Sequence, residues 1–203
     1  MQDENVRRVL DFWFSARELD APQIDSRLDR WFGNDPALDA EIRANFGELL
    51  DRALRGELDH WAATAEGRLA LILVLDQFCR NIHRGTAAAF AGDRRALKLC
   101  VEGSMGNEYR DLAPVQRVFF FMPLQHAESL PVQEKSVRIY AALAESVSPT
   151  LRETFLTFAQ FAELHRDIVA RFGRFPHRNR HLGRANTPEE EAYLAGDAPS
   201  FGQ

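Results

Sequence analysis

Residues 69–85 read LALILVLDQFCRNIHRG, and the way this stretch is taken decides the fold. The seven apolar residues read as buried on all sides, and DQFCRNIHRG follows them without a break in helical spacing. Leu71, Leu75, Phe78 and Ile82 fall on one face, while Asp76, Arg80, His83 and Arg84 line another beside Gln77. The stretch therefore predicts a helix from about Ala65 to Arg84, stopped by Gly85. On a solvated face an Asp76–Arg80 pair four residues apart would contribute only ~0.3–0.5 kcal/mol. Directly after a buried run, however, Asp76 is expected to be at least partly buried, and a buried carboxylate needs a partner such as Arg80.

Outward from this stretch the periodicity stays helical. Val6, Val9, Leu10 and Trp13 give a first amphipathic helix, and Asp35-Pro36 reads as a cap followed by proline at the first helical position. Thr86 reads as the cap of a helix ending near Gly103, and Pro114, Pro131, Pro149 and Pro188 mark further starts. The last lies in a capping box, Thr187-Pro-Glu-Glu190. No segment alternates with period two, and no Asn-Gly or Asp-Gly turn separates two β-rich runs. The expected fold is all-α, with short connections and antiparallel helix pairs, in a single domain over 1–203. Residues 1–62 form a candidate helical subregion, and 197–203 a loose tail.

With 203 residues, 45% of them hydrophobic, the chain is long enough to bury a core without metals or cross-links. Cys79 and Cys100 fall in apolar or helical stretches and read as reduced packing residues of a cytoplasmic protein. The apolar run at 69–75 is far short of the ~20 residues that span a bilayer, so no membrane role is expected.

The formal net charge is -5, yet His165 to Arg184, HRDIVARFGRFPHRNRHLGR, holds six arginines against one Asp and so carries +5, leaving -10 for the rest. This acidic balance disfavours nucleic acid as a partner but leaves room for a confined site for a small anion. Gly173 and Pro176 put the cationic residues on a turn after a helix. There Arg171, Arg174 and Arg178 either cap the helix and bridge to Glu189 and Glu190, or clamp a carboxylate or phosphate. Phe172 and Phe175 read as anchors of the turn.

Two histidines sit on apolar stripes. His165 falls in the series Leu151, Phe155, Phe158, Ala162, His165, Val169, Phe172, and His126 in the series Val115, Phe119, Met122, His126, Leu130. Each reads either as a core histidine with satisfied ring nitrogens or as an imidazole at the floor of a pocket. Pro123 predicts a kink or break beside His126, with Glu128 as its candidate orienting carboxylate. His126, Glu128, His165 and His177 are permitted metal ligands, but no H-E-x-x-H spacing or cysteine cluster organises them, and no metal site is expected. No phosphate loop, nucleophile elbow or dinucleotide fingerprint is present, so no cofactor is named.

Three stretches together, LDQFCRNIHRGTAAAFAGD at 75–93, FMPLQHAES at 121–129 and HRDIVARFGRFPHRNRHLGRANTPEEEAYL at 165–194, resemble the bacterial family catalogued as domain of unknown function nine hundred and twenty-four. The resemblance implies an all-helical, tetratricopeptide-like array and no particular activity. Cys79 stands where the family pattern has proline and Ala127 where it has serine; neither change removes a charged group or a histidine.

The leading expectation is one pocket for a small anionic ligand. Asp76, Gln77, Arg80, Arg174, His177 and Arg178 would bind there, with His126, Glu128 and His165 as candidate acid–base groups. It requires the His126 and His165 rings to lie within about 15 Å of each other. The rival is a non-enzymatic, tetratricopeptide-like module presenting a concave surface to a protein or peptide.

Overall fold

A computed structural model describes residues 3–196, 198, 199 and 201. Twelve α-helices and four 3-10 turns follow one another among these residues, with no strand. They run α1 (Glu4–Phe14), α2 (Ala21–Asp25), α3 (Leu28–Phe32), α4 (Pro36–Arg55), α5 (Ala65–Leu73), α6 (Cys79–Ile82), α7 (Asp93–Met105), α8 (Pro114–Gln125), α9 (Leu130–Ser146), α10 (Arg152–Phe172), α11 (Asn179–Leu182) and α12 (Pro188–Leu194).

The capping chemistry sets most of these starts. Asp35 accepts from the Ala37 N–H ahead of Pro36, and Thr187 and Glu190 exchange hydrogen bonds in a complete capping box. Gly173, at φ 71°, ends α10 in the left-handed conformation that glycine adopts without strain.

Four sequence expectations are corrected. The 65–84 segment is helical only to Ile82, and it changes pitch on the way: Val74–Phe78 form a π-turn between α5 and α6. Thr86 precedes only a 3-10 turn, Ala87–Phe90, and α7 begins at Asp93. Pro149 lies in the turn before α10, which starts at Arg152. Pro123 does not break α8, which runs through it to Gln125. The short helices α2 and α3 carry too few residues for a periodic signal.

One hydrophobic core takes side chains from Val6 through Ala162. The whole LALILVL run lies in it at 0% exposure. Its aromatic centre joins distant elements: Phe119 packs on Trp13, Phe14 and Trp31, and Phe78 on Trp13 and Phe46. Such aromatic pairs, edge-to-face except for the tilted Phe46–Phe78, add about 0.5–1.5 kcal/mol each beyond the area they bury. Ile168, Val169 and Phe175 make a second, smaller cluster, against which Phe172, Tyr193 and Phe201 pack. Cys79 and Cys100 are buried and free. No helix among the described residues is long and apolar enough to cross a membrane. Of the tail 197–203, Asp197, Ser200, Gly202 and Gln203 lie outside the described residues, whereas Phe201 packs on His165 with ring centroids 4.1 Å apart.

The start of α7 is fitted against the π-turn. A Cβ on Gly92 would lie 1.9 Å from the Leu75 carbonyl oxygen, a backbone atom that cannot move aside. Gly92→Ala is therefore expected to cost about 2 kcal/mol through overpacking and to lower Tm by roughly 4–8 °C in a thermal melt. Gly47→Ala, in the interior of α4 with nothing near its Cβ, should instead raise Tm slightly; similar effects from both would refute the close fit.

Candidate functional site

The π-turn is where the site begins. A π-turn adds one residue to the helical circuit, and here it falls across Asp76, whose side chain is 0% exposed. Three groups answer the buried carboxylate. His126 Nδ1 lies 2.7 Å from Asp76 Oδ1, Gln77 Nε2 donates to Oδ2 at 2.5 Å, and the Arg80 guanidinium stands 3.7 Å from Oδ1. Burial works against ionisation, but the His126 ring and Arg80 together hold the Asp76 carboxyl well below the usual carboxylate range.

His126 reaches Asp76 because it is the C-cap of α8, turned off the helix end. Facing an ionised carboxylate, its Nδ1 must carry the proton, so Nε2 holds the lone pair. His165, from α10, is oriented the same way: its Nδ1 lies 2.7 Å from the Phe161 carbonyl oxygen, which can only accept. The two rings are 6.2 Å apart, well inside the required separation. Neither Nε2 is hydrogen-bonded to a described residue. Burial pushes His165 down to about 3, with His126 adding to the effect, and burial also lowers His126 itself. All the imidazoles of the cluster are neutral at pH 7, since burial and Arg178 take His177 down to about 3 as well.

Asp93 ties the cationic side together. It receives a two-point contact from Arg80 at 2.7 and 3.1 Å, and Arg178 Nη1 donates to the same carboxylate at 3.3 Å. The Arg178 guanidinium lies over the rings of Phe90 and Phe175, 4.8 and 4.5 Å from their centroids. Its Nε–H is buried without a partner. Burial and the nearby Arg80 bring Arg178 down to about 10.

These groups surround a cavity of about 210 Å³. Gln77, Arg80, His126, His165, His177 and Arg178 all line it, and Asp76 stands behind His126. Trp31, Phe32, Phe158, Phe161 and Phe201 line it as well, Phe201 stacked on His165 itself. Phe32 and Phe161 remain 42% and 47% exposed.

Two expected site residues lie elsewhere. Glu128 binds Arg184 at 2.6 and 2.9 Å and accepts from the Phe175 N–H, so it fastens the turn after α10; the carboxylate that orients His126 is Asp76. Arg174 grips Glu190 at two points, 2.7 Å each, and also donates to the Ala185 carbonyl, away from the cavity. It follows the capping reading, as does Arg171, which pairs with Glu189. Asp93 and the aromatic wall were missed. The signal for Asp93 was arithmetic: buried arginines need as many buried acids, and Asp93 was hidden by its neighbours Arg94 and Arg95. No group of three or more His, Cys, Asp or Glu side chains among the described residues is placed to hold a metal ion.

The sequence profile of the family described as "Bacterial protein of unknown function (DUF924)" matches residues 9–198. The fold is shared with a solved protein of unknown function from Agrobacterium tumefaciens, at 37% identity and a TM-score of 0.78, covering 93% of this chain and 96% of that one. No curated protein matched the chain.

The buried neutral histidines make stability depend on pH. Unfolded, each takes a proton near ~6.5. Folded, His165 and His177 resist protonation down to about 3. Their contribution is complete above the unfolded value and is lost as pH falls from about 6.5 towards 3. Urea melts between pH 4 and 7 should show stability falling on acidification. His165→Gln should reduce that slope by about one proton; an unchanged slope would mean that His165 is solvated.

Proposed function

Since the chain belongs to the DUF924 family, which brings no activity with it, we propose from the site alone that the protein binds a small anionic molecule in this cavity and performs acid–base chemistry on it. The observation that carries the reading is the Asp76–His126 contact of 2.7 Å in the wall of a cavity that Arg178 also lines.

The roles follow from hydrogen-bond polarity. Asp76 fixes the His126 tautomer and would stabilise the imidazolium formed when Nε2 takes a proton. Arg178 supplies an anchor for the anion, with Arg80 beside it held by Asp93. His165 presents a second lone pair. Among the described residues no hydroxyl or thiol nucleophile lines the cavity: Cys79 points to the Ala88 carbonyl, and burial raises its thiol. Proton transfer to or from the bound molecule, or to a water acting on it, therefore suits the site better than covalent catalysis.

The exposed apolar side chains Leu156, Phe161 and Leu164 on α10 are what the rival reading, a helical interaction module, would use. A thermal-shift screen against carboxylates, phosphorylated metabolites, nucleotides and divalent metals separates the two. A ligand at 100 times its Kd stabilises by ~2.7 kcal/mol, or roughly 5–10 °C for a domain of this size. The expected result is such a shift confined to anions and lost in His126→Ala and Arg178→Ala, but retained in Arg174→Lys. No shift with any class would favour the module.

A further inference from the structure

We infer that the ligand of this cavity carries hydrogen-bond donors of its own: it is a small polyhydroxylated anion, whose hydroxyl groups answer acceptors that the lining presents without partners. This deepens the reading above and rests on it.

The polarity of the lining follows from which atom of each side chain is already spent. Gln77 turns Nε2 to the Asp76 carboxylate and Asn81 turns Nδ2 to Asp39, at 2.5 and 2.7 Å, because only the nitrogen of an amide can donate to an acid. Gln77 Oε1 and Asn81 Oδ1 are thereby left as acceptors. The Nδ1 protons of His126 and His165 are spent in the same way, on Asp76 and on the Phe161 carbonyl, so each Nε2 keeps a lone pair. All four side chains line the cavity, and none of the four acceptors has a partner among the described residues.

Nor are these acceptors shut away. The side-chain atoms sealed without a partner among the described residues are Trp13 Nε1, Gln133 Oε1, Ser136 Oγ and Arg178 Nε. Gln77, Asn81 and His165 are buried residues that nonetheless line the cavity, so the open space their acceptors meet is the cavity itself.

Water answers such acceptors until a ligand displaces it, and the ligand must then supply donors in its place or forfeit those hydrogen bonds. A bare carboxylate or phosphate brings acceptors only, and so meets lone pairs with lone pairs. N–H groups that can hold its acid stand on the same lining, on Arg80, Arg84 and Arg178. They leave the four acceptors unanswered. Hydroxyls next to the acid answer them, and a hydroxyl also accepts, so it suits a lining where N–H groups stand beside lone pairs. An ammonium would donate as well, but its charge would enter a cavity that the guanidiniums already line. The volume of about 210 Å³ keeps the molecule small.

The test is calorimetric titration of the whole protein at pH 7 with two matched pairs, gluconate against hexanoate and sorbitol 6-phosphate against hexyl phosphate, and with neutral sorbitol. At least one hydroxylated anion should bind about tenfold or more tighter than its partner without hydroxyls, a factor that one unanswered acceptor suffices to produce. The pair that shows it identifies the acid group as carboxylate or phosphate. Sorbitol should bind at least about tenfold more weakly than that anion. His165→Phe, which keeps a ring and removes the acceptor, should narrow the preference within the pair, and His165→Gln, whose Oε1 can take the place of the ring Nε2, should retain it. An anion without hydroxyls that binds as tightly as its hydroxylated partner, or a preference that His165→Phe leaves intact or His165→Gln loses equally, overturns this inference but leaves the anion site standing. Sorbitol bound as tightly as the anions overturns the anion reading and keeps the hydroxyl recognition. If none of the five compounds binds, both fail.

Discussion

The rest of the structure is arranged around a carboxylate that has no access to water. Asp76 sits inside the most apolar helix of the chain, and an ionised group there is tolerated only if several partners meet it at once. Each partner then imposes its own requirement. Arg80, drawn in by Asp76, has N–H donors left over and takes Asp93; Asp93 in turn faces Arg178. His126 has to leave the end of α8 to reach the carboxylate. Four parts of the chain are thereby fixed relative to one another through charges that cannot be separated cheaply, since removing one partner of a buried pair costs about 3–5 kcal/mol. The apolar core would fold a helical domain without them; the polar chain sets where its helices end.

The helical class and the main caps were legible because they rest on local rules. Apolar spacing, Asp35-Pro36 and the Thr187–Glu190 box act over four residues or fewer and need no tertiary information. What failed to show was of two kinds. The π-turn has no composition of its own: Val74 to Phe78 looks like any buried helix, and the extra residue is accepted because of what packs on it, including the Gly92 backbone. The pairing of charges was equally hidden, because Glu128, two residues from His126, was the natural partner by proximity in sequence, whereas Asp76 lies fifty residues away in the chain. The histidines and Arg178 were legible as chemistry out of place, polar groups on apolar stripes. Phe201 was not, since nothing local in the tail signals its packing on His165.

Why an acidic protein should gather six arginines between Arg166 and Arg184 has a two-part answer. Most of them are answered by nearby acids or carbonyls: Arg166 by Asp167, Arg171 by Glu189, Arg174 by Glu190 and Ala185, Arg184 by Glu128. These hold a turn that has little apolar surface of its own. The structural arginines are thus the scaffold on which one further arginine is presented. Arg178 differs from them: it is buried, lies over two aromatic rings, is held by a single side-chain hydrogen bond among the described residues, at 3.3 Å, and is left with an unpartnered Nε–H.

A buried N–H without an acceptor is rare in a folded chain because it forfeits the hydrogen bond it had with water. Arg178 keeps one beside a cavity also lined by His126 and His165, whose Nδ1 atoms are both committed to partners. On the proposed reading the arginine offers donors and the unprotonated histidines acceptors to a bound molecule. Protonation of His126 converts one acceptor into a donor, and the Asp76 behind it is already ionised and in place to receive the charge. On the proposed reading, a proton passed between the bound molecule and His126 is thus answered by a carboxylate that needs no rearrangement, which is what general acid–base chemistry requires.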